Sequence, residues 1–396
     1  LMKQRIIANL LDKKVMFGVW VLVGLLTALK QYSLGEVNSH INNYIIFKSS
    51  FWHLLEGKNL YLHYPKEYVD LFLYGPAFTV LIAPFSVLPT VFGVSLWNVF
   101  NSVILLYAIY ELPLFTNRTK AIMAWICLNS CITGLLNVQF HGVITAAIML
   151  SYSNIKKGDD FWGAFWIVLG TMTKIYGVVG LAFFFFSKKK LNLIFCGIAW
   201  TIVLFVLPML FSSPAYIVQT YQDWYATLTH KNEVNTVLNN PYQDICVMGM
   251  ARRITGDATL SNLYFVIPAM LTLGVSYLRI HLYQNIRFQL LMLASVLLIV
   301  VLASSGTEAS TLLIGFLGVA IWFLQSKRGI VERVLFFITL LIASFGPTDV
   351  IPRFIRDEYL RKYALMVLPM LLVWIKIQLE IWGVGGLGKE AKKQTI

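Results

Sequence analysis

Lys174 stands in Gly170-Thr-Met-Thr-Lys-Ile-Tyr-Gly177, with apolar runs on either side. An ionisable side chain inside such a run costs about 2.5–3.5 kcal/mol on insertion scales, so its presence implies a task. A lysine at a break between helices can meet a phosphate as a point charge; the plain alternative is a lysine that snorkels to the interface. Glu308, in Ser304-Ser-Gly-Thr-Glu-Ala-Ser310, could take a proton or bind a sugar hydroxyl. It could equally be an acidic residue favoured by a helix N-terminus. Asn137, Gln139 and His141 interrupt the apolar stretch 121–153. Polar groups there either bind a substrate or satisfy one another's hydrogen bonds.

Other candidates gather in two polar, aromatic segments. The first, about 34–72, holds Glu36, Asn43, Lys48, His53, Glu56, Glu67 and Asp70, and runs into Tyr74-Gly-Pro-Ala-Phe78. Its carboxylates are available as bases, although any single one also reads as a solvated loop charge. The second, about 212–260, holds Tyr221-Gln-Asp-Trp-Tyr225, Tyr242 and Arg252-Arg253. Aromatics beside Asn, Gln and Asp suit a carbohydrate, which offers apolar faces and many hydroxyls. The arginine pair could grip a phosphate bidentately, or it could anchor the loop at the membrane interface with its Tyr and Trp neighbours.

These residues need elements to position them, and composition decides which kind. Of 396 residues, 58% are hydrophobic and only 13% charged. A soluble domain carries about 25% charged residues. With a mean hydropathy of +0.70, the chain is no water-soluble enzyme, disordered protein or ordinary nucleic-acid binder. A span takes about 20 apolar residues, so the expected fold is an all-α polytopic bundle of roughly 11–13 transmembrane helices. It is read as a single integral membrane domain over 1–396, with a first outer loop at 34–72 carrying a short amphipathic helix and a large outer loop at 212–260.

The net charge of +13 sits in short clusters between apolar runs: Lys3/Arg5, Lys13/Lys14, Lys156/Lys157, Lys188 to Lys190, Arg279/Arg287, Lys327/Arg328/Arg333 and Lys389/Lys392/Lys393. By the positive-inside rule these are cytoplasmic, which puts both termini inside. The first apolar stretch lacks an A-x-A-like cleavage site and reads as a retained span. The path then runs out over about 15–33, in over 75–88, out over 91–111, and back through the interrupted segment 121–153. On this path Arg118 and Lys120 fall on the outer face, against the rule. Lysines bound 161–187 on both sides, which predicts a tight pair of short helices meeting near Thr173-Lys174. The four cysteines lack metal spacing, and no Walker, GxGxxG or GxSxG element occurs in a suitable context. No metal or cofactor is expected.

The arrangement resembles glycosyltransferase family 87, membrane enzymes of the GT-C fold class that include polyprenol-phosphate-mannose-dependent mannosyltransferases. Asn43, Phe47, Leu54-Leu55-Glu56-Gly57 and Tyr61 follow the spacing of the family's first loop, and Tyr74-Gly-Pro76 resembles its tyrosine-proline element. Asn137-Val-Gln-Phe-His141 looks like its Gly/Asn-x-Gln-x-Asn segment, and Lys174 matches its lysine between apolar runs. The resemblance implies transfer of a mannose-like hexose, with inversion, from a polyprenyl phosphate sugar to a lipid or glycan acceptor. Lys174, Arg252 and Arg253 would meet the donor phosphate. Lys48, His53, Tyr74, Asn137, Gln139, His141 and Tyr242 would line the substrate. Asn43 stands where the family has its proposed basic aspartate, and an amide cannot take a proton. Either a neighbour such as Glu36, Glu67, Asp70 or Glu308 serves as the base, or the chain is not a mannosyltransferase of the usual kind. The expected location is a bacterial inner membrane, with the active face periplasmic. A transporter or flippase is the rival function, against which the two large one-sided loops weigh, since alternating access places its site near the midplane.

Overall fold

The computed structural model describes residues 9–35 and 40–383. Glu36 and the Lys3/Arg5 and Lys389/Lys392/Lys393 clusters lie outside the described residues. Every regular element among the described residues is helical. Five helices are long and apolar enough to cross a membrane: Lys13–Ser33, Thr90–Glu111, Asn117–Leu136, Lys190–Leu210 and Ile286–Ala303. A bent pair, Arg353–Arg361 with Leu365–Ile381, passes the same test across an 85° break. The polytopic helical bundle is therefore as expected, while many of the anticipated spans are short or interrupted helices. By backbone contacts the chain forms two compact units, one running to Ala124 together with Gly134–Lys231, the other taking Trp125–Thr133 with the chain from Asn232 onward.

Up to the end of the reversing pair we label α1 Lys13–Ser33, α2 Asn42–Leu55, α3 Pro76–Ser86, α4 Thr90–Glu111, α5 Asn117–Leu136, α6 His141–Lys157 and α7 Asp160–Lys174, followed by a 3-10 helix, Tyr176–Phe186; all lie in the first unit except the middle of α5, Trp125–Thr133, which belongs to the second. Helices α1 and α4 are antiparallel. Ser102 Oγ donates to the Trp20 carbonyl at 3.0 Å, Asn98 Nδ2 to Thr27 Oγ1 at 3.2 Å, and Lys13 Nζ lies 5.0 Å from the Tyr110 ring centre. Their backbones touch at Gly24, where a Cβ would stand 2.9 Å from Val99 Cα. The end of α4 thus meets the start of α1. Lys120 donates to the Tyr110 carbonyl, Lys157 pairs with Glu111, and Ser187 Oγ donates to Asp160 at 3.0 Å. Lys13, Arg118, Lys120, Lys156, Lys157 and Lys188 to Lys190 consequently share one basic end.

The turn at Leu88-Pro89-Thr90 lies at the other end, and this corrects the expected path. Helix α3 has 11 residues, about 16 Å of rise against a hydrocarbon thickness of about 30 Å. Both its ends are tied to elements away from the basic end: Gly75 N–H donates to the Thr173 carbonyl at 3.0 Å, and Tyr44 Oη to the Phe85 carbonyl at 2.9 Å. Segment 75–88 therefore does not cross, and α4 runs toward the basic end instead of away from it. Segment 121–153 holds two helices, α5 and most of α6, that run away from the basic end and back to it, and α5 is long and apolar enough to cross. The two changes cancel in parity, and Arg118 and Lys120 no longer offend the positive-inside rule.

This path has a direct check. Val87→Cys and Arg118→Cys, both at exposed positions, are expected to label from opposite sides of the membrane with an impermeant maleimide. Val87→Cys should react in intact cells, Arg118→Cys only after permeabilisation. Labelling of Arg118→Cys in intact cells, with Val87→Cys reacting only after permeabilisation, would restore the original path.

In the second unit, helices Ile286–Ala303, Leu312–Gln325 and Leu368–Ile381 pack together. Glu380, 3% exposed, accepts from Trp322 Nε1 at 3.1 Å and pairs with Arg287 at 3.4 Å. A buried carboxylate without such partners would be strongly destabilising.

Candidate functional site

Tyr74 precedes Gly75-Pro76, and Pro76 occupies the first turn of α3, where its fixed φ suits a helix start. A Cβ on Gly75 would stand 2.0 Å from the Met172 carbonyl oxygen. Only glycine lets this segment approach the end of α7, and that approach brings Tyr74 to Lys174. Helix α7 ends at Lys174; Ile175 (φ 12°, ψ −26°) leaves the helical path, and the chain returns as the 3-10 helix. This is the pair of short helices that the flanking lysines predict. The 15 residues of α7 rise about 22 Å, and the 11 of the 3-10 helix also about 22 Å. Starting from the basic end, the break at Lys174 is reached short of the far side of a hydrocarbon layer of about 30 Å.

Lys174 Nζ lies 3.1 Å from Tyr74 Oη and 3.1 Å from His141 Nε2. It also sits 5.0 Å from the Tyr74 ring centre and 5.6 Å from that of Tyr176. Tyr74 Oη in turn donates to Gln139 Oε1 at 3.2 Å. The protons are thereby ordered: an ammonium can only donate, so His141 Nε2 offers its lone pair, and Tyr74 accepts from lysine while donating to glutamine. Aromatic rings wall this cluster, with Phe47, Phe78 and Phe140 at 5.0, 4.6 and 5.8 Å from the Tyr74 ring. Excluding water from one side strengthens the field of a fixed cation.

Asn137, Gln139 and His141 come from the break between α5 and α6, as the sequence predicts. Asn43 Nδ2 donates to the Asn137 carbonyl at 2.8 Å, so the residue in the family's aspartate position serves as a hydrogen-bond donor to that turn. A carboxylate there would face a carbonyl oxygen. Lys48 Nζ donates to the Leu88 carbonyl and Thr90 Oγ1 at 3.1 and 3.2 Å, closing the turn after α3. His53 Nε2 stands 2.9 Å from Glu67 Oε2. Asp70, at φ 77°, pairs with Lys231 at 3.1 Å.

Glu308, Tyr242, Arg252 and Arg253 belong to the second unit. Glu308 accepts from Gln243 Nε2 at 3.1 Å and Ser310 Oγ at 3.3 Å. Arg252 is buried against Asp244, with Nε–Oδ2 2.9 Å and Nη2–Oδ1 2.7 Å, and its remaining donors reach Leu260 and Asn262. Its guanidinium is committed to holding this loop. Arg253 donates to the carbonyls of Asn240 and Gln243. Tyr242 is exposed and lies 5.2 Å beneath Arg361.

Tyr176 and Gly75 are the site residues that sequence reading left without a role. Tyr176 follows Lys174 by two positions, which is a usable signal; the close approach at Gly75 has none. Among the described residues no three His, Cys, Asp or Glu side chains gather as a metal-holding group.

No curated protein matches the sequence. A family model, that of glycosyltransferase family 87, matches residues 72–305. That range includes Tyr74, Asn137, Gln139, His141 and Lys174, and leaves Asn43, His53, Glu67, Asp70 and Glu308 outside.

Proposed function

The chain belongs to glycosyltransferase family 87 and is a membrane glycosyltransferase; from that premise we propose that it moves a mannose-like hexose from a polyprenyl phosphate sugar to a lipid or glycan acceptor, with inversion. The observation that carries this is Lys174, a cation fixed by Tyr74 and His141 at the break between two short apolar helices. A lipid-linked donor enters such a site from the bilayer with its phosphate at the level of the break.

When the glycosidic bond breaks, negative charge grows on the phosphate oxygen. Lys174 supplies a preorganised counter-charge there, and the aromatic wall keeps water from weakening it. A polyprenyl phosphate leaves as an anion, so no strong acid is required, and positioning does much of the rest. Gln139 and Asn137 are suited to sugar hydroxyls beside it. A carboxylate removes the acceptor proton as the acceptor oxygen attacks the anomeric carbon from the opposite face. By the positive-inside rule the basic end is cytoplasmic, which opens the Lys174 end to the periplasm of a bacterial inner membrane.

The test is a donor assay on the full chain in nanodiscs, with polyprenyl phosphate mannose, then its glucose and arabinose analogues, and a membrane-lipid extract as acceptor. Extract-dependent release of polyprenyl phosphate, with a hexose mass gained by the acceptor, is the expected result. Folded protein that releases none from any donor would overturn the proposal in favour of transport.

A further inference from the structure

We propose that Glu67 is the base that takes the acceptor's proton and that His53 is its positioning residue; this rests on the transfer reaction proposed above. His53 lies in the last turn of α2 and is 2% exposed. Its Nε2 is 2.9 Å from Glu67 Oε2, and its ring centre is 4.2 Å from that of Tyr64. His53 Nδ1 is buried with no hydrogen-bond partner. A bare lone pair tolerates that position better than an N–H, which would be a buried donor without an acceptor. The ring proton therefore sits on Nε2 and is donated to Glu67.

The backbone on which Glu67 stands is fixed as well. The N–H groups of Glu67 and Tyr68 donate to the Tyr64 carbonyl at 2.9 and 3.0 Å. Two residues on, Val69 exchanges a pair of hydrogen bonds with the Asn42 side chain at 2.7 and 2.9 Å. The segment is thus tied to both ends of α2. The Glu67 side chain is 38% exposed, so one oxygen is held by His53 while the other is open to an incoming hydroxyl. Among the described residues the rivals Asp70 and Glu308 are otherwise engaged: both oxygens of Asp70 face Lys231, and both of Glu308 accept side-chain hydrogen bonds. Lys58, Glu56, Tyr64 and Tyr68 are the neighbouring titratable groups that feel this pair.

In the step itself the acceptor O–H proton passes to Glu67 Oε1. The oxygen's electron pair forms the bond to the anomeric carbon. The bond from that carbon to the phosphate oxygen breaks, and its pair leaves on polyprenyl phosphate. Glu67 then returns the proton to water.

The experiment uses the full chain in nanodiscs with the donor and extract that support release by the wild type. Glu67→Gln is expected to lower kcat by about 100-fold with KM for the donor little changed. His53→Phe, which keeps a ring under Tyr64 but has no N–H, should lower kcat about 10-fold, again without raising KM. His53→Gln restores a donor and should recover most of that loss, which a purely structural role for the ring would not predict. Near-wild-type kcat in folded Glu67→Gln, or no recovery in His53→Gln relative to His53→Phe, would overturn the assignment. Failure of the wild type to release polyprenyl phosphate would instead remove the transfer reaction on which it rests.

Discussion

Lys174→Met is expected to lower kcat/KM for the lipid-linked donor by about 1000-fold, or about 4 kcal/mol of transition-state stabilisation. Methionine keeps the length of the stem and removes the charge. The fold should survive, because Lys174 is half-buried and Tyr74 retains its bond to Gln139. What is lost is the counter-charge to the departing phosphate, beside a ring wall that keeps water from one side of it. Lys174→Arg should recover little. A guanidinium spreads its charge over a larger planar fork, so it does not reproduce the point charge that stands 3.1 Å from both Tyr74 Oη and His141 Nε2. Release kinetics with polyprenyl phosphate mannose would decide. Lys174→Met within threefold of wild type would remove the phosphate role.

Much of this site is legible in the sequence. Lysines on both sides of 161–187, with too few residues for two full spans, dictated a short reversing pair. Asn137 to His141 announced a break because that run could not stay in hydrocarbon as a straight helix. Their convergence on Lys174 was not legible. Tyr74 and His141 lie 100 and 33 residues from it in sequence, and hydropathy carries no information about such distances. Direction was also misread. Segments 75–88 and 121–153 differ in length, but an apolar run that dips and one that crosses have the same composition. Buried Asn98, Asn101 and Ser102 form a polar stripe at helical spacing and mark Thr90–Glu111 as an inner helix, yet a stripe has no polarity along the axis. The clue that α4 was inverted lay in Arg118 and Lys120, two basic residues on the wrong face of the expected path. The His53–Glu67 pair was hidden for another reason: both residue types are ordinary in an exposed loop, and only burial of the histidine distinguishes them.

The second large effect is expected from a single methyl group. Gly177→Ala places a Cβ 2.3 Å from the Gly170 carbonyl carbon and 2.4 Å from both Gly170 Cα and Thr171 N. Those are backbone atoms, and no rotamer change relieves them. At the facing position a Cβ on Gly170 would meet Gly177 Cα at 2.8 Å, so the helix pair crosses glycine on glycine with its two backbones in contact. Overpacking a core commonly costs about 1–3 kcal/mol, and a backbone obstacle lies at or above the top of that range. The consequence for chemistry is larger than for stability. Lys174 sits at the junction of the two arms, and spreading them moves its ammonium away from Tyr74 and His141; a displacement of about 1 Å is enough to cost about 100-fold in rate. Gly177→Ala is therefore expected to melt earlier in detergent and to lose transfer to background. Gly197→Ala is the matched control: that glycine lies within helix Lys190–Val206 and has nothing within 4 Å of its Cβ position. Alanine there should be neutral or stabilising by up to about 1 kcal/mol. Wild-type melting and transfer in Gly177→Ala would mean that the two arms do not cross where the structure has them, and that Lys174 owes its position to something else.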